Sequence, residues 1–337
     1  ANMSHALDAS GRDIWLDFHC NRLTFEDARC GIYGDSFRIL DDHIDAWYST
    51  LKVSKRLQRR NPWWGGDDPA TQGWPDPDFV FTGGQGCAQD HTAGRRCPGQ
   101  SDAEYRSEFG LWALAGGQLV VASDPRNMST IQKQLLLNEE IVKGVFMDTS
   151  GFDTIHAIPV EPPPSPATDL GGCNVSLQQQ LSHGVICSYG KTFGCIAGKD
   201  GKVSAHAQMW AADGCRGVFV CSGIHDVACE SSADGSYYPE NATCSCAPEP
   251  AQIWTRALSN GSAAVLFLNA GEKDARLRID FASIKGRSKE WGPDTTLHAR
   301  DLLAREDIGL STGSFEVHVE SRDSSLVLFK SNQNTRK

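Results

Sequence analysis

The sequence has no apolar run that approaches the ~20 residues needed for a membrane-spanning helix. It also has no extended basic patch: pairs such as Arg59-Arg60 and Arg95-Arg96 are short, and the net charge is −10 at pH 7. A nucleic acid or an anionic membrane would require such a patch. We therefore expect neither a membrane span nor a nucleic-acid partner.

A recognisable signal peptide and a CxxC cysteine pair are missing as well. The chain starts at Ala1 rather than Met, which predicts a mature or internally processed protein. Cys244-x-Cys246 is a poor zinc motif without a CxxC pair or a suitably spaced histidine. The glycines in residues 83–86 are too weak a signal for a phosphate site. We predict no metal and no cofactor.

Cysteine, in contrast, is abundant. Twelve cysteines accompany five N-x-S/T sequons in 337 residues. This combination favours disulfides in a secreted, lysosomal or vacuolar, or cell-surface glycoprotein. The predicted glycosylation sites are Asn2, Asn174, Asn241 and Asn260.

Three domains are predicted from changes in composition along the chain. Residues 1–150 read as alternating α/β structure, and residues 251–332 as an all-β domain. Residues 151–250 begin with a polyproline linker and continue with eight cysteines in 74 residues, a density typical of a small module held by disulfides. The sequence assigns this module no activity beyond a role in glycan or partner binding.

The stretch from Gly73 to Ser129 gives the clearest α/β signal. Its prolines predict a stiff, extended loop around Asp76 and Asp78. Ser101-x-x-Glu104 predicts a capping box, and the helix that follows carries apolar residues at i, i+4 and i+7. Residues 119–122 are apolar on both faces, as expected for a covered parallel strand.

The N-terminal residues predict a helix that ends near Gly11 and a strand over residues 14–20. Arg38 and Asp42 then precede a helix with one apolar side. From pattern alone, these two residues could be a surface ion pair at i, i+4, with Asp42 as an N-cap. The C-terminal residues predict an antiparallel sandwich whose short alternating strands are 253–256, 263–268, 277–281, 315–319 and 325–329.

Several motifs resemble the melibiase family of retaining α-galactosidases and N-acetylgalactosaminidases. The resemblance covers roughly residues 1–150 and 251–330. Its motifs are Ser10-Gly11-Arg12, Tyr33-Gly34-Asp35-Ser36-Phe37-Arg38 with Asp42, Trp74-x-Asp76-Pro77-Asp78, Glu104-Tyr105-Arg106 with Trp112, Asp124-x-Arg126, Leu258-Ser259-Asn260-Gly261 and Asp301-Leu302-Leu303. The resemblance implies the C-terminal half of a (β/α)8 TIM barrel, a disulfide-rich insertion and a C-terminal antiparallel β-sandwich.

The resemblance also implies roles for individual residues. Asp42 takes the place of the family's general acid/base, Arg38 that of its sugar-binding cation and Asp78 that of its hydroxyl-binding carboxylate. Asn21 and Phe79 stand where the family usually has Glu and Met. The resemblance further implies that Phe25 contacts the sugar and that a disulfide joins Cys20 to Cys30. A second loop disulfide is expected between Cys87 and Cys97.

The family's nucleophile is an aspartate in a Lys-x-Asp motif at the end of the fourth barrel strand, and this sequence contains no Lys-x-Asp. Four βα units alone would leave open sheet edges. We therefore expect an N-terminal half-barrel chain as a partner, in a heteromer or a processed precursor, and terminal α-galactoside glycans as substrates. The alternatives are a non-catalytic glycan-binding or structural glycoprotein, and a related activity on an N-acetylgalactosaminide or a β-arabinopyranoside.

Overall fold

The computed structural model describes most of the chain and forms two compact units. One unit combines the described residues up to Val160 with those from Ala251 onward, and the second contains the described residues between 174 and Pro250. Among the described residues, no helix is both long and apolar enough to cross a bilayer. The described ranges are 2–19, 34–40, 42–58, 73–80, 99–122, 126, 129–150, 155–160, 174–196, 208–235, 238–285 and 290–331.

A parallel sheet forms the first part of the first unit. Its strands are β1 (Asp17–His19), β2 (Ser36–Arg38) and β3 (Trp74–Asp76), in the order β1-β2-β3. β1 confirms residues 17–19 of the strand predicted over residues 14–20, while residues 14–16 are not part of a strand. The predicted loop around Asp76 is corrected, because residues 74–76 pair with β2 and only the residues after them leave the sheet.

Helices precede and follow these strands in the chain order that the sequence predicts. The loop-forming Gly11 follows the first helix with φ 65°, as expected for a helix end. The helices are α1 (Asn2–Ala9), α2 (Trp47–Gln58), α3 (Asp102–Ala115), α4 (Thr130–Leu136) and α5 (Glu139–Ile141), which continues as a π-helical turn at Val142–Phe146.

Helix α3 is the central helix of this unit. Ser101 and Glu104 form the predicted capping box, and Gly116 ends the helix with φ 71°. Phe109 and Trp112 are buried in the same apolar core as residues of the C-terminal strands. The capping box and the apolar face of this helix are therefore confirmed.

The segment after α3 differs from its prediction. Among the residues that the structure describes, this segment makes one parallel bridge, in which Val80 N–H donates to Val120 O and Ala122 N–H donates to Val80 O. Val120 and Val121 are each 39% exposed. The prediction of a strand buried on both faces is therefore wrong, because the one residue bridged to this segment covers only part of it.

An antiparallel sandwich completes the first unit and confirms the predicted C-terminal domain. A six-stranded sheet, β15-β14-β17-β12-β11-β4, faces the pair β13-β16 across an apolar core that includes Phe267, Phe281 and Phe329. The strands are β4 (Ile155–Pro159), β11 (Gln252–Ala257), β12 (Ala263–Leu268), β13 (Ala275–Asp280), β14 (Thr296–Asp301), β15 (Glu306–Thr312), β16 (Ser314–Val319) and β17 (Ser324–Ser331).

The start of the sandwich corrects the predicted linker. Residues 155–159 were assigned to the segment that leads into the module, but they form β4 and pair antiparallel with β11. The backbone hydrogen bonds to β11 therefore outweigh the proline content of this segment.

The second unit contains two small antiparallel sheets, β5-β8-β9 and β10-β7-β6. Disulfides join Cys187 to Cys215, Cys221 to Cys246 and Cys229 to Cys244. The unit also has an apolar core around Met209 and Phe219, so it is held by more than its disulfides. Its strands are β5 (Val175–Gln180), β6 (Phe193–Ile196), β7 (Gln208–Ala212), β8 (Arg216–Cys221), β9 (Ile224–Glu230) and β10 (Asn241–Ser245).

Candidate active site

Three residues singled out by the sequence meet where β2 and β3 end. The Nη2 atom of Arg38 lies 2.8 Å from Asp78 Oδ2 and 3.3 Å from Asp42 Oδ1. Arg38 is the last residue of β2, and Asp78 follows β3 by two residues. Because the two strands are parallel, the residues that follow them lie at the same edge of the sheet, where the strands end. One guanidinium therefore bridges two carboxylates at that edge.

Asp78 is held in a strained and fully defined position. Its φ is 78°, a left-handed conformation that is uncommon outside glycine. Its N–H donates to Asp76 Oδ1 at 2.8 Å, and its carbonyl accepts the indole N–H of Trp112 at 2.7 Å. Its carboxylate accepts the N–H of His43 at 2.7 Å as well as the Arg38 contact. Several contacts thus fix both the backbone and the carboxylate, which is typical of a functional site.

Asp42 is the outermost of the three residues. Its side chain is 87% exposed, whereas those of Arg38 and Asp78 are 14% and 8% exposed. Helix α2 begins at Trp47, so Asp42 is not its N-cap. The Arg38–Asp42 ion pair that the i, i+4 spacing suggested is present, but it extends inward to Asp78.

A second group of polar side chains lies at the start of β1 and β2. Ser36 is fully buried; its hydroxyl donates to Asp17 and accepts from the Trp15 indole and from the side-chain amide of Gln118. Next to this group, burial raises the pKa of Asp76 to about 6. The carboxylates of Asp17 and Asp78 act in the same direction, while the N–H of Asp78 and the charge of Arg38 oppose it.

Asp76 makes the stability of the fold depend on pH. Its pKa is about 6 in the fold and has the ordinary value of 3.8 otherwise, so the folded chain binds this proton more tightly than the unfolded chain. Its contribution is fully present below pH 3.8 and is lost as the pH rises through 6. We expect Asp76→Asn to gain up to about 3 kcal/mol over the wild type across that window, at about 1.4 kcal/mol per pKa unit.

Urea unfolding of wild type and Asp76→Asn at pH 4, 5, 6 and 7 measures this difference. Asparagine keeps an oxygen that can accept the N–H of Asp78, so the variant changes the charge and retains the hydrogen bond. A difference in unfolding free energy that stays constant with pH would contradict the assignment.

The remaining predicted site residues are placed as follows. Asn21, Phe25, Cys20, Cys30, Cys87 and Cys97 lie outside the described residues, as does the side chain of Asn2. Phe79 adjoins Asp78 and is exposed. The sequon residues Asn174, Asn241 and Asn260 are exposed. Cys244 and Cys246 belong to separate disulfides.

Sequence reasoning missed a buried polar group directly behind this site. His43 follows Asp42 in the chain, and its ring contacts Glu108 on helix α3. The side chains of both residues have no exposed surface. An acidic residue on the buried face of a helix was the available signal, but only the fold shows that a histidine 65 residues away is its partner.

Comparison with known proteins shows that parts of this chain are similar to α-galactosidases. Residues 248–329 match the alpha galactosidase C-terminal beta sandwich domain. An α-galactosidase of Oryza sativa subsp. japonica is 32% identical over 145 residues, which make up 42% of this chain and 29% of the relative. The chain thus aligns with under a third of this relative's length.

Solved structures share the fold along nearly the whole chain. Alpha-galactosidase I from Mortierella vinacea matches with a TM-score of 0.59 at 15% identity, over 98% of this chain and 61% of that chain. The GH27-β-L-arabinopyranosidase from Geobacillus stearothermophilus matches with a TM-score of 0.56 at 16% identity, over 99% and 54% of the respective chains.

The sandwich domain and the sequence relatives thus relate the chain to the glycoside hydrolases. Within that class, its similarity is to the α-galactosidases of the melibiase family, most directly over residues 248–329. The disulfides and these relatives indicate an extracellular or vacuolar protein.

Proposed function

We propose that this chain is part of a retaining α-galactosidase-type glycoside hydrolase that cleaves terminal α-galactosides. The observation that carries the proposal is Arg38, which contacts Asp78 and Asp42 together where parallel strands end. Retaining glycosidases need two carboxyl groups about 5–5.5 Å apart across the scissile bond. Asp42 is the proposed general acid/base of that pair, and its exposed carboxylate is accessible to a glycosidic oxygen.

Arg38 and Asp78 are the proposed sugar-binding residues. The Arg38 Nε atom is buried and has no hydrogen-bond partner within the described part of the chain, so the guanidinium keeps an unused donor. Asp78 is an acceptor for hydroxyl groups and is held rigidly by its own contacts. Asn21, Phe25 and Phe79 are proposed to line the same sugar pocket.

We further propose that the nucleophile comes from an N-terminal half-barrel, carried by another chain or by a precursor of this one. The parallel strands would then be part of a (β/α)8 barrel that the second half completes. Apolar side chains near the sheet support this proposal, since Trp15 is 55% exposed and Val120 and Val121 are 39% exposed. Contact with further barrel segments would bury them.

Hydrolysis of nitrophenyl glycosides by the protein purified from its native source tests the proposal. We expect cleavage of the α-galactoside, and the variant Asp42→Asn serves as the control. Faster cleavage of an α-N-acetylgalactosaminide or a β-L-arabinopyranoside would assign a related activity instead. Sugar binding without cleavage of any of the three substrates would assign a non-catalytic glycan-binding protein.

A further inference from the structure

A buried histidine–glutamate pair lies directly behind the candidate site. The Nε2 atom of His43 lies 3.2 Å from Glu108 Oε1, and both side chains are fully buried. The proposed function assigns no role to either residue. Placing two ionisable groups in an apolar interior is costly, and it adds little stability over well-packed apolar residues. Stability alone therefore does not account for the pair, and its hydrogen-bond partners indicate another role.

Hydrogen bonds continue from both ends of this pair. Ser49 Oγ lies 2.9 Å from His43 Nδ1 and accepts the N–H of Ile44 at 3.1 Å. At the other end, the side-chain amide of Gln100 donates to Glu108 Oε2 at 2.6 Å. The chain of hydrogen bonds therefore runs from the loop before helix α2, through the histidine, to helix α3 and the residue before its cap.

The donors and acceptors in this network define one arrangement of protons. An ionised Glu108 can only accept, so His43 must carry a proton on Nε2. The Ser49 hydroxyl already accepts from Ile44 and is able to donate to Nδ1. Each polar atom then has a partner, which is the condition under which a buried network rigidifies its surroundings.

Two residues of the candidate site, Asp42 and Asp78, connect to this network through His43. The backbone N–H of His43 donates to the Asp78 carboxylate at 2.7 Å, and its ring contacts the Trp112 ring at a centroid distance of 4.7 Å. The Trp112 indole in turn donates to the Asp78 carbonyl. Asp42 precedes His43 in the chain, so an anchored His43 also restrains the Cα atom of Asp42, from which its side chain extends.

We propose that His43 and Glu108 are positioning residues that hold Asp42 and Asp78 in register with each other. This inference rests on the proposed function, because it assigns the pair a task in glycoside cleavage. Neither residue touches the sugar. Glu108 anchors the His43 ring to helix α3, and the anchored segment directs the Asp42 carboxylate toward the leaving-group oxygen.

The variant Glu108→Gln tests this role with little change in volume. Gln100 can reverse its amide to donate to Thr50 Oγ1 and accept from the new amide at position 108, so the variant keeps the shape of the network. It replaces the charge-assisted hydrogen bond from His43 with a weaker neutral one, which loosens the anchor. An acid/base that is out of position slows the departure of a basic leaving group more than that of an acidic one. Two substrates of the purified native protein therefore separate a positioning role from a general loss of folded protein.

We expect Glu108→Gln to lower kcat/KM about 10- to 50-fold on an unactivated α-galactoside, less than the roughly 10²- to 10⁴-fold contribution of a general acid or base, because Asp42 itself is retained. On a dinitrophenyl α-galactoside, whose leaving group needs no proton, we expect kcat/KM, which reports the first step, to change by less than about threefold. Ser49→Ala, which releases His43 Nδ1 and the N–H of Ile44 but keeps the Glu108 contact, is the second variant and is expected to lose less. Glu316→Gln, in an exposed ion pair with Arg276, is the matched control and should behave as wild type.

Three results distinguish the failures. Equal losses on both substrates, or no loss on either, would overturn the positioning role while the enzymatic function stands. A wild type that cleaves neither substrate would overturn the proposed function itself. Side-chain ¹⁵N spectra of the histidines give a reading without activity: we expect His43 to carry a proton on Nε2, and an Nε2 atom without a proton would overturn the network.

Discussion

Replacing Asp42 with Asn is expected to lower kcat on an unactivated α-galactoside by about 10²- to 10⁴-fold, the usual contribution of a general acid or base. Asparagine keeps the size of the side chain and an oxygen that can face Arg38, but it can neither give nor take the proton. The 3.3 Å contact with Arg38 is at an exposed position, so its loss costs little stability. We therefore expect a large effect on activity together with a melting temperature close to that of the wild type.

The same variant also reports on the second half of a retaining reaction. In the proposed mechanism this residue acts in that step as a base toward water, and a small anion that needs no base, such as azide, can replace the water. We expect azide to restore turnover of a dinitrophenyl α-galactoside by Asp42→Asn. Asp280→Asn, an exposed aspartate paired with Arg278, is the control and should keep full activity. A loss of less than about threefold in Asp42→Asn would remove this residue from the general acid/base role.

Local signals account for what the sequence could predict of the fold. The capping box at Ser101 and Glu104 involves residues three apart, and the apolar face of helix α3 repeats every turn. Strands β11 and β12 are short apolar runs bounded by a turn at Asn260-Gly261. Each of these elements can be read from a window of about 15 residues.

The elements that were missed depend on distant partners. Strand β15 is mostly exposed and polar, so no alternation marks it, and its pairing with β14 defines it. Eight cysteines allow 105 disulfide pairings, which is why the three observed bridges could not be chosen from spacing alone. Val120 and Val121 read as buried, but their exposure depends on which segments lie beside them.

The candidate site also has features that the sequence could predict and features that depend on distant partners. The resemblance to a family supplied the roles of Arg38, Asp42 and Asp78, and the structure brings these three residues together. The left-handed backbone of Asp78 was not predictable, because contacts with residues 34 and 35 positions away hold it. Sequence reasoning finds the groups that act on a substrate more readily than the groups that orient them.

Arg256 is expected to be the most important single residue for the stability of the first unit. Its side chain is completely buried in strand β11, and burial lowers its pKa to about 10, so it remains charged at neutral pH. Its guanidinium donates to Asp148 O at 3.0 Å, to Ser150 Oγ at 3.3 Å and to Ala113 O at 3.4 Å. One side chain thus joins the sandwich to the end of helix α3 and to the residues before β4.

We expect Arg256→Met to lower the free energy of unfolding by about 2–4 kcal/mol. Hydrogen bonds to a charged group contribute about 1.5–3 kcal/mol, and each buried carbonyl left unpaired costs about 1–3 kcal/mol, while the relief of charge burial offsets part of the loss. Arg256→Lys keeps the charge but cannot reach acceptors in several directions. Arg276→Met, whose side chain is 78% exposed, is the matched control and should change the unfolding free energy by less than about 0.5 kcal/mol.

Urea unfolding followed by tryptophan fluorescence measures this prediction, and the Trp74 ring provides a local probe. The Arg256 guanidinium lies 5.4 Å from the centre of that ring, and Trp74 begins the strand that leads to Asp76 and Asp78. An Arg256→Met chain as stable as the wild type would mean that charge burial cancels every hydrogen bond made by the guanidinium. A destabilised chain with altered Trp74 fluorescence would instead show that this arginine supports the strand carrying the site's carboxylates.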